Sequence, residues 1–226
     1  MKNKVLFFQV LVLMLLIFAS SVTAQYYPGL NVTFGHYEQD NNLGNGTEPI
    51  VWRVLDVSNG KILLLSEYAI DAQPYNWAYA GVTWETSSLR NWLNNDFLYS
   101  AFSSSERDSI VETSVNNNAN PAYGTNGGRN TQDKLFLLSI SEVQGYFREG
   151  PQLQCYATQY TKAMGIKRDP SAKDARRGDL WWWWLRTPGS QMQYASTVNL
   201  DGGIVKIGYH VDDAYCGVRP AMWVRY

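Results

Sequence analysis

The residues best suited to recognition chemistry lie near the C-terminus. Gln191, Gln193 and Tyr194 fall in one segment; Tyr209, His210, Asp212 and Tyr215 fall in another. Tyrosine offers a large contact area at little entropy cost, and Gln, His and Asp add adaptable hydrogen bonds, the mixture that recognition loops favour. Ordinary hairpin loops use the same residue types, so both readings stand here. Catalytic sets are harder to assemble. Ser190, His210 and Asp212 make a Ser-His-acid set on paper, but no nucleophile-elbow sequence surrounds any serine. Asp212 and Asp213 are adjacent, and adjacent residues on a strand face opposite ways, which suits a glycosidase pair badly. His36 and His210 are the only histidines, so a three-histidine metal centre is excluded. No catalytic residue and no cofactor is expected, with calcium the one ion left open. Asp40, Asn41, Asn42 and Asn45 supply the oxygens that calcium requires. Their spacing is not that of an EF-hand, and Asp and Asn are equally common turn residues.

The flanking segments must position these groups. Residues 32–37, 50–57 and 61–68 read as a three-stranded β-meander, its second turn at Ser58-Asn59-Gly60. Ile62 to Leu65 is apolar at every position, as in a strand covered on both faces. Leu89, Trp92, Leu93 and Phe97 form one helical stripe behind a cap at Ser87 or Ser88. Ser103-x-x-Glu106 and Ser139-x-x-Glu142 are capping boxes for two more helices. Residues 116–131, rich in Asn and Gly, read as a long surface loop. Residues 134–138 read as a strand, 156–164 as a helix ended by Gly165, and 168–178 as a charged loop.

Four consecutive tryptophans, Trp181 to Trp184, open the last part of the chain. Alternation sends two rings to each side of a strand. Either one pair fills the core and the other packs under a loop, or one pair forms an exposed aromatic platform. Residues 200–204 make a hairpin turn between strands at 195–199 and 204–209. Residues 217–224 read as the final strand, with Pro220 marking an edge or a bulge. Arg53, Arg186 and Arg219 sit in apolar strand patterns and read as structural, with Glu48 and Glu85 as candidate partners.

The first 24 of 226 residues read as a secretory leader, with Lys2 and Lys4 ahead of an apolar run and Val22-Thr23-Ala24 at the cleavage site. Residues 25–226 then form a single mature domain, expected in the periplasm, on the cell surface or in the medium. Net charge is −1 and no basic run occurs, so nucleic acid is a poor partner. No apolar segment after the leader is long enough to span a membrane. Cys155 and Cys216, 61 residues apart, either form a disulfide after export or stay as two buried thiols.

Six blocks occur in order. They are Phe34-Gly35-x-Tyr37, Pro49-Ile50-x-Trp52-Arg53-Val54-Leu55, and Trp84-Glu85-x-Ser87-x-Leu89-Arg90-x-Trp92-Leu93-Asn94. Then come Phe136-Leu137-Leu138-Ser139, Trp183-Trp184-Leu185-Arg186-Thr187-Pro188-Gly189 and Gly217-Val218-Arg219-Pro220-Ala221-Met222-Trp223. Together they resemble a family of secreted bacterial domains of unknown function, marked by WWLRSPG and GVRPALW; here Thr187 and Met222 depart from it. The same signatures are similar to the C-type-lectin-like fold of formylglycine-generating enzymes and of the variable proteins of diversity-generating retroelements. That resemblance implies an α+β domain with a twisted antiparallel sheet, two or more flanking helices and a loop-rich C-terminal half. The oxidase branch needs a reactive cysteine pair, and the iron-dependent branch needs three histidines; this chain has neither. The expected function is therefore non-catalytic binding of an extracellular glycan or surface protein, in a domain of the kind that retroelements diversify. A cell-envelope enzyme and a self-assembling surface component are the alternatives, and oligomeric state is left open.

Overall fold

The computed structural model describes residues 26–168 and 176–226. The expected leader and residues 169–175 of the charged stretch lie outside the described residues. The meander forms as β1 (Asn31–Tyr37), β2 (Glu48–Ser58) and β3 (Lys61–Ser66), all antiparallel. Its tight turn works because Asn59 and Gly60 both hold positive φ, 51° and 70°, which matches the right-handed twist of the flanking strands. The short β4 (Asp71–Ala72) follows.

The central helical stretch opens at α1 (Ser88–Trp92), where the Ser87 hydroxyl accepts from the Arg90 N–H. A π turn at Leu93–Phe97 leads into α2 (Leu98–Ala101). The expected stripe buries Leu89, Leu93 and Phe97, while Trp92 is only half-buried. Both capping boxes are present, on α3 (Ser104–Ser109) and, after the short strands β5 (Ile110–Val111), β6 (Thr113–Val115) and β7 (Thr131–Asp133), on α4 (Ile140–Tyr146). The chain continues through α5 (Gln159–Arg168), β8 (Arg176–Arg177), β9 (Leu180–Trp181), β10 (Trp183–Pro188), β11 (Tyr194–Val198), β12 (Ile204–His210), β13 (Gly217–Val218) and β14 (Ala221–Arg225).

Two five-stranded sheets organise these elements, in the orders β1-β2-β3-β14-β5 and β12-β11-β10-β13-β4. Every pairing in them is antiparallel except β10 with β13. The architecture is thus mixed α and β, dominated by antiparallel sheet with few short helices. The segment 217–224, expected as one strand, serves both sheets. β13 pairs with β4 and β10, Arg219 and Pro220 make the crossing, and β14 inserts between β3 and β5. A proline cannot donate to a ladder, so the crossing is where one is tolerated.

Two other expectations are corrected, and the expected surface loop after β6 proves to be anchored. The helix runs through Gly165 rather than ending there. A Cβ at that position would stand 2.8 Å from the Trp181 ring, so the glycine permits close approach and is not a cap. Residues 134–138 carry a single bridge, Phe136 with Ala221, instead of a ladder. The loop after β6 is pinned, not merely solvated. Asn117 and Asn120 are buried, and the Asn120 amide donates to Pro188 O at 2.7 Å and Lys206 O at 2.8 Å. The low apolar content of that loop is offset by side-chain hydrogen bonds.

Tryptophan dominates the core. Trp52, Trp84, Trp181, Trp183 and Trp184 are fully buried. Each indole N–H has an acceptor: Phe34 O, the Asp133 carboxylate, Tyr215 O, Leu153 O and Gln73 O respectively. Burial of the ring therefore leaves no donor unmet. Three of the four consecutive tryptophans are core, and Trp182 packs edge-on against Tyr209 with centroids 4.7 Å apart. The run forms no exposed platform. The motif arginines are structural, with partners other than those expected. Arg53 pairs with Glu67 at 2.5 Å and Arg186 with Glu142. Arg219 donates to Ser66 O and lies 4.9 Å from the Trp183 ring. Glu85 instead pairs with Arg129, and Glu48 accepts from the Gln39 N–H.

Candidate functional site: an exposed aromatic platform

The β11–β12 hairpin places Tyr194 directly opposite His210. The Tyr194 hydroxyl meets His210 Nε2 at 3.1 Å, and the rings stand edge to face 4.9 Å apart. Side chains alternate along a strand, so Tyr209 points to the other side, where it packs on Trp182. Tyr215 is half-buried against the core, and its carbonyl is spent on Trp181. The seven expected residues therefore divide. Tyr194, His210 and Asp212 belong to one surface, with Gln191 exposed at the adjoining turn and Gln193 beside Gly81. Tyr209 and Tyr215 belong to the packing beneath it.

A third segment, without helical or strand periodicity, adjoins this surface. Residues 76–82 run alongside the hairpin. The Asn76 N–H donates to Val211 O at 2.7 Å, and the Val82 N–H donates to Met192 O at 3.0 Å. Asn76 also braces the loop internally, since its amide donates to Ala78 O and its oxygen accepts from the Ser88 N–H at the start of α1. This bracing presents Trp77 and Tyr79 to solvent at 63% and 55% exposure. The Tyr79 ring centroid is 5.0 Å from that of His210. Partial desolvation, then the Tyr194 hydroxyl and the Asp212 carboxylate, push the Tyr79 hydroxyl above its ordinary pKa. The signal available in the sequence was two aromatics in Asn76-Trp77-Ala78-Tyr79-Ala80-Gly81, a stretch with neither helical nor strand periodicity.

The turn after β12 also corrects an expectation. Asp212 and Asp213 lie beyond the end of the strand, so strand alternation does not separate them. Their carboxylates and the His210 ring each offer a ligand atom within 4.8 Å of the others. The His210 Nε2 atom meets the Tyr194 hydroxyl. In the Asp40 loop, Asp40 accepts from the Asn42 N–H at 2.7 Å and from the Asn45 amide at 2.8 Å, and Asn42 Oδ1 accepts from the Gly44 N–H. Those groups hold the turn. A carboxylate has about four lone-pair positions, so Asp40 keeps acceptor capacity for a cation.

Both cysteines are buried and unbonded to one another. The Cys155 thiol lies near Arg219 and the Cys216 thiol near Asp213; burial pushes both above their ordinary value. No helix among the described residues is long and apolar enough to cross a membrane. No curated protein and no solved structure matches the chain. Residues 59–226 match the model of a family described as Domain of unknown function (DUF6273), and the chain belongs to that family.

Proposed function

We propose that this protein is an exported, non-catalytic glycan-binding domain of C-type-lectin-like type. The observation that carries the reading is the grouping of Tyr79, Tyr194 and His210 on one surface beside Asp212, with the exposed Trp77 two residues before Tyr79 in the same loop. Exposed aromatic rings gathered in one place are the kind of apolar patch that marks an interaction site. The C–H face of a pyranose is weakly electropositive and apolar, which complements the negative face of an aromatic ring. Its hydroxyls then need planar acceptors and donors at the ring edge, which Asp212, Gln191 and Gln193 offer. Braced rings lose little freedom on binding, so more of the contact energy is retained as affinity.

The test is a glycan array probed with the protein and with Trp77→Ala. Selective binding that Trp77→Ala abolishes, with melting unchanged, is the expected result. Binding to surface proteins alone would reassign the platform to protein recognition. Turnover of an array ligand would favour the enzyme alternative and direct attention to His210, Asp212 and Asp213. Export itself is checked by the mass of the mature protein, which should begin at Gln25.

A further inference from the structure

A second feature lies away from the aromatic platform. A hollow of about 480 Å³ opens among Gln39, Asp40, Tyr68, Tyr156, Lys162 and Asp179. That volume falls in the range of small-molecule sites. Its walls are tied by backbone bonds. Ala69 and Ala157 form a parallel bridge, with the Ala69 N–H donating to Tyr156 O and the Thr158 N–H to Ala69 O. The residues just before the bridge, Tyr68 and Tyr156, are thereby held as neighbours, 38% and 52% exposed. The Tyr160 N–H donates to Gln39 O and fixes the start of α5 against the end of β1.

The charges around the hollow are unbalanced. Lys162 Nζ sits 2.6 Å from Asp179, so the cation of the floor already has its counter-ion. Asp40 is different. Its carboxylate clusters with those of buried Glu38 and of Glu48, each offering an atom within 4.8 Å of the others. Their bonds come from neutral donors: the Asn42 and Gln39 N–H groups and the Asn45 amide. No ion pair among the described residues involves any of the three. A solvent-open pocket with tyrosine walls and, at its rim, the Asp40 carboxylate, which has no salt-bridge partner among the described residues, is complementary to an organic cation. The charge finds Asp40, and the hydrocarbon lies along the rings, where a cation also gains from the ring quadrupole.

We propose that this hollow is a second ligand site, selective for a small free alkylammonium ion, with the ammonium on Asp40 and the alkyl body along Tyr68 and Tyr156. The experiment is calorimetric titration of the full protein with n-hexylammonium chloride and, in parallel, n-hexanol. The ammonium should bind at least about tenfold more tightly than the alcohol, and Asp40→Asn should remove about that tenfold preference. Asn at this position still accepts from the Asn42 N–H but replaces the oxygen that accepts from the Asn45 amide, so the melting of this variant is measured alongside. Tyr156→Ala, at a half-exposed ring, should weaken the ammonium several-fold with melting unchanged. Trp77→Ala should leave it untouched, which separates this site from the platform. Equal binding of the alcohol, full retention in Asp40→Asn, or binding of calcium chloride with none of the ammonium would each overturn the proposal; the last would give the carboxylates to a metal.

Discussion

The Tyr79 ring stands 5.0 Å from the His210 ring, although 131 residues separate them in the chain. Their meeting depends on the Asn76 N–H bond to Val211 O, which anchors the loop beside the β12 turn. Trp77→Ala, Tyr79→Ala and His210→Ala should each weaken glycan binding by about tenfold or more, the loss typical of a central anchor. Stability should change by no more than about 0.5 kcal/mol, because these rings are exposed or at the rim. Array affinities measured beside thermal melts check both halves. An Asn76→Ala variant should lose binding without losing any ring.

Asp133 is a buried junction. Its carboxylate accepts from Trp84 Nε1 at 2.9 Å, Arg90 Nε at 2.7 Å and Thr131 Oγ1 at 2.7 Å, with the side chain wholly shielded from water. Asp133→Ala leaves an indole N–H and a guanidinium without their acceptor. Removing one partner of such a pair costs about 3–5 kcal/mol. For a domain of this size that lowers the melting temperature by roughly 6–20 °C, readable by calorimetry.

Arg186 is engaged through both of its terminal nitrogens in a way that lysine cannot reproduce. It meets Leu137 O, Asn116 O and both oxygens of Glu142, fastening β10 to α4 and to the loop after β6. Lysine presents a point charge and no planar fork. Arg186→Lys should therefore destabilise by about 2–4 kcal/mol, measured by denaturant titration. A melt like that of the parent would show that the fork is not needed.

Alkaline pH should unfold this protein early. Burial raises the pKa of Cys155, Cys216, Tyr37 and Tyr75 above their ordinary values of 9.0 for the thiols and 10.0 for the phenols. Each group keeps its proton in the fold but releases it in the unfolded chain. The stability they contribute is complete below pH 9 and declines as pH climbs past 9 and then 10. Melting temperature scanned from pH 7 to pH 11 should fall across that upper window. Both thiols should resist an alkylating reagent at pH 7 until denaturant is added, and then both should react.

Local patterning was enough for much of this protein. The β-meander, its Asn59-Gly60 turn, the Leu89–Leu93–Phe97 stripe and both capping boxes follow from residue type and spacing, since those features depend on neighbours within four positions. The structural character of Arg53, Arg186 and Arg219 was also legible, because charge within an apolar strand demands a partner. Their actual partners were not legible, because Glu67, Glu142 and Ser66 reach them only through the packing of distant elements. Tertiary structure alone decided that residues 217–224 divide between two sheets at Pro220. It also decided that Tyr209 faces inward onto Trp182 while Tyr79 joins Tyr194 and His210 outside. Exposure of an aromatic is set by what lies across from it, and that is a property of the whole chain rather than of any window along it.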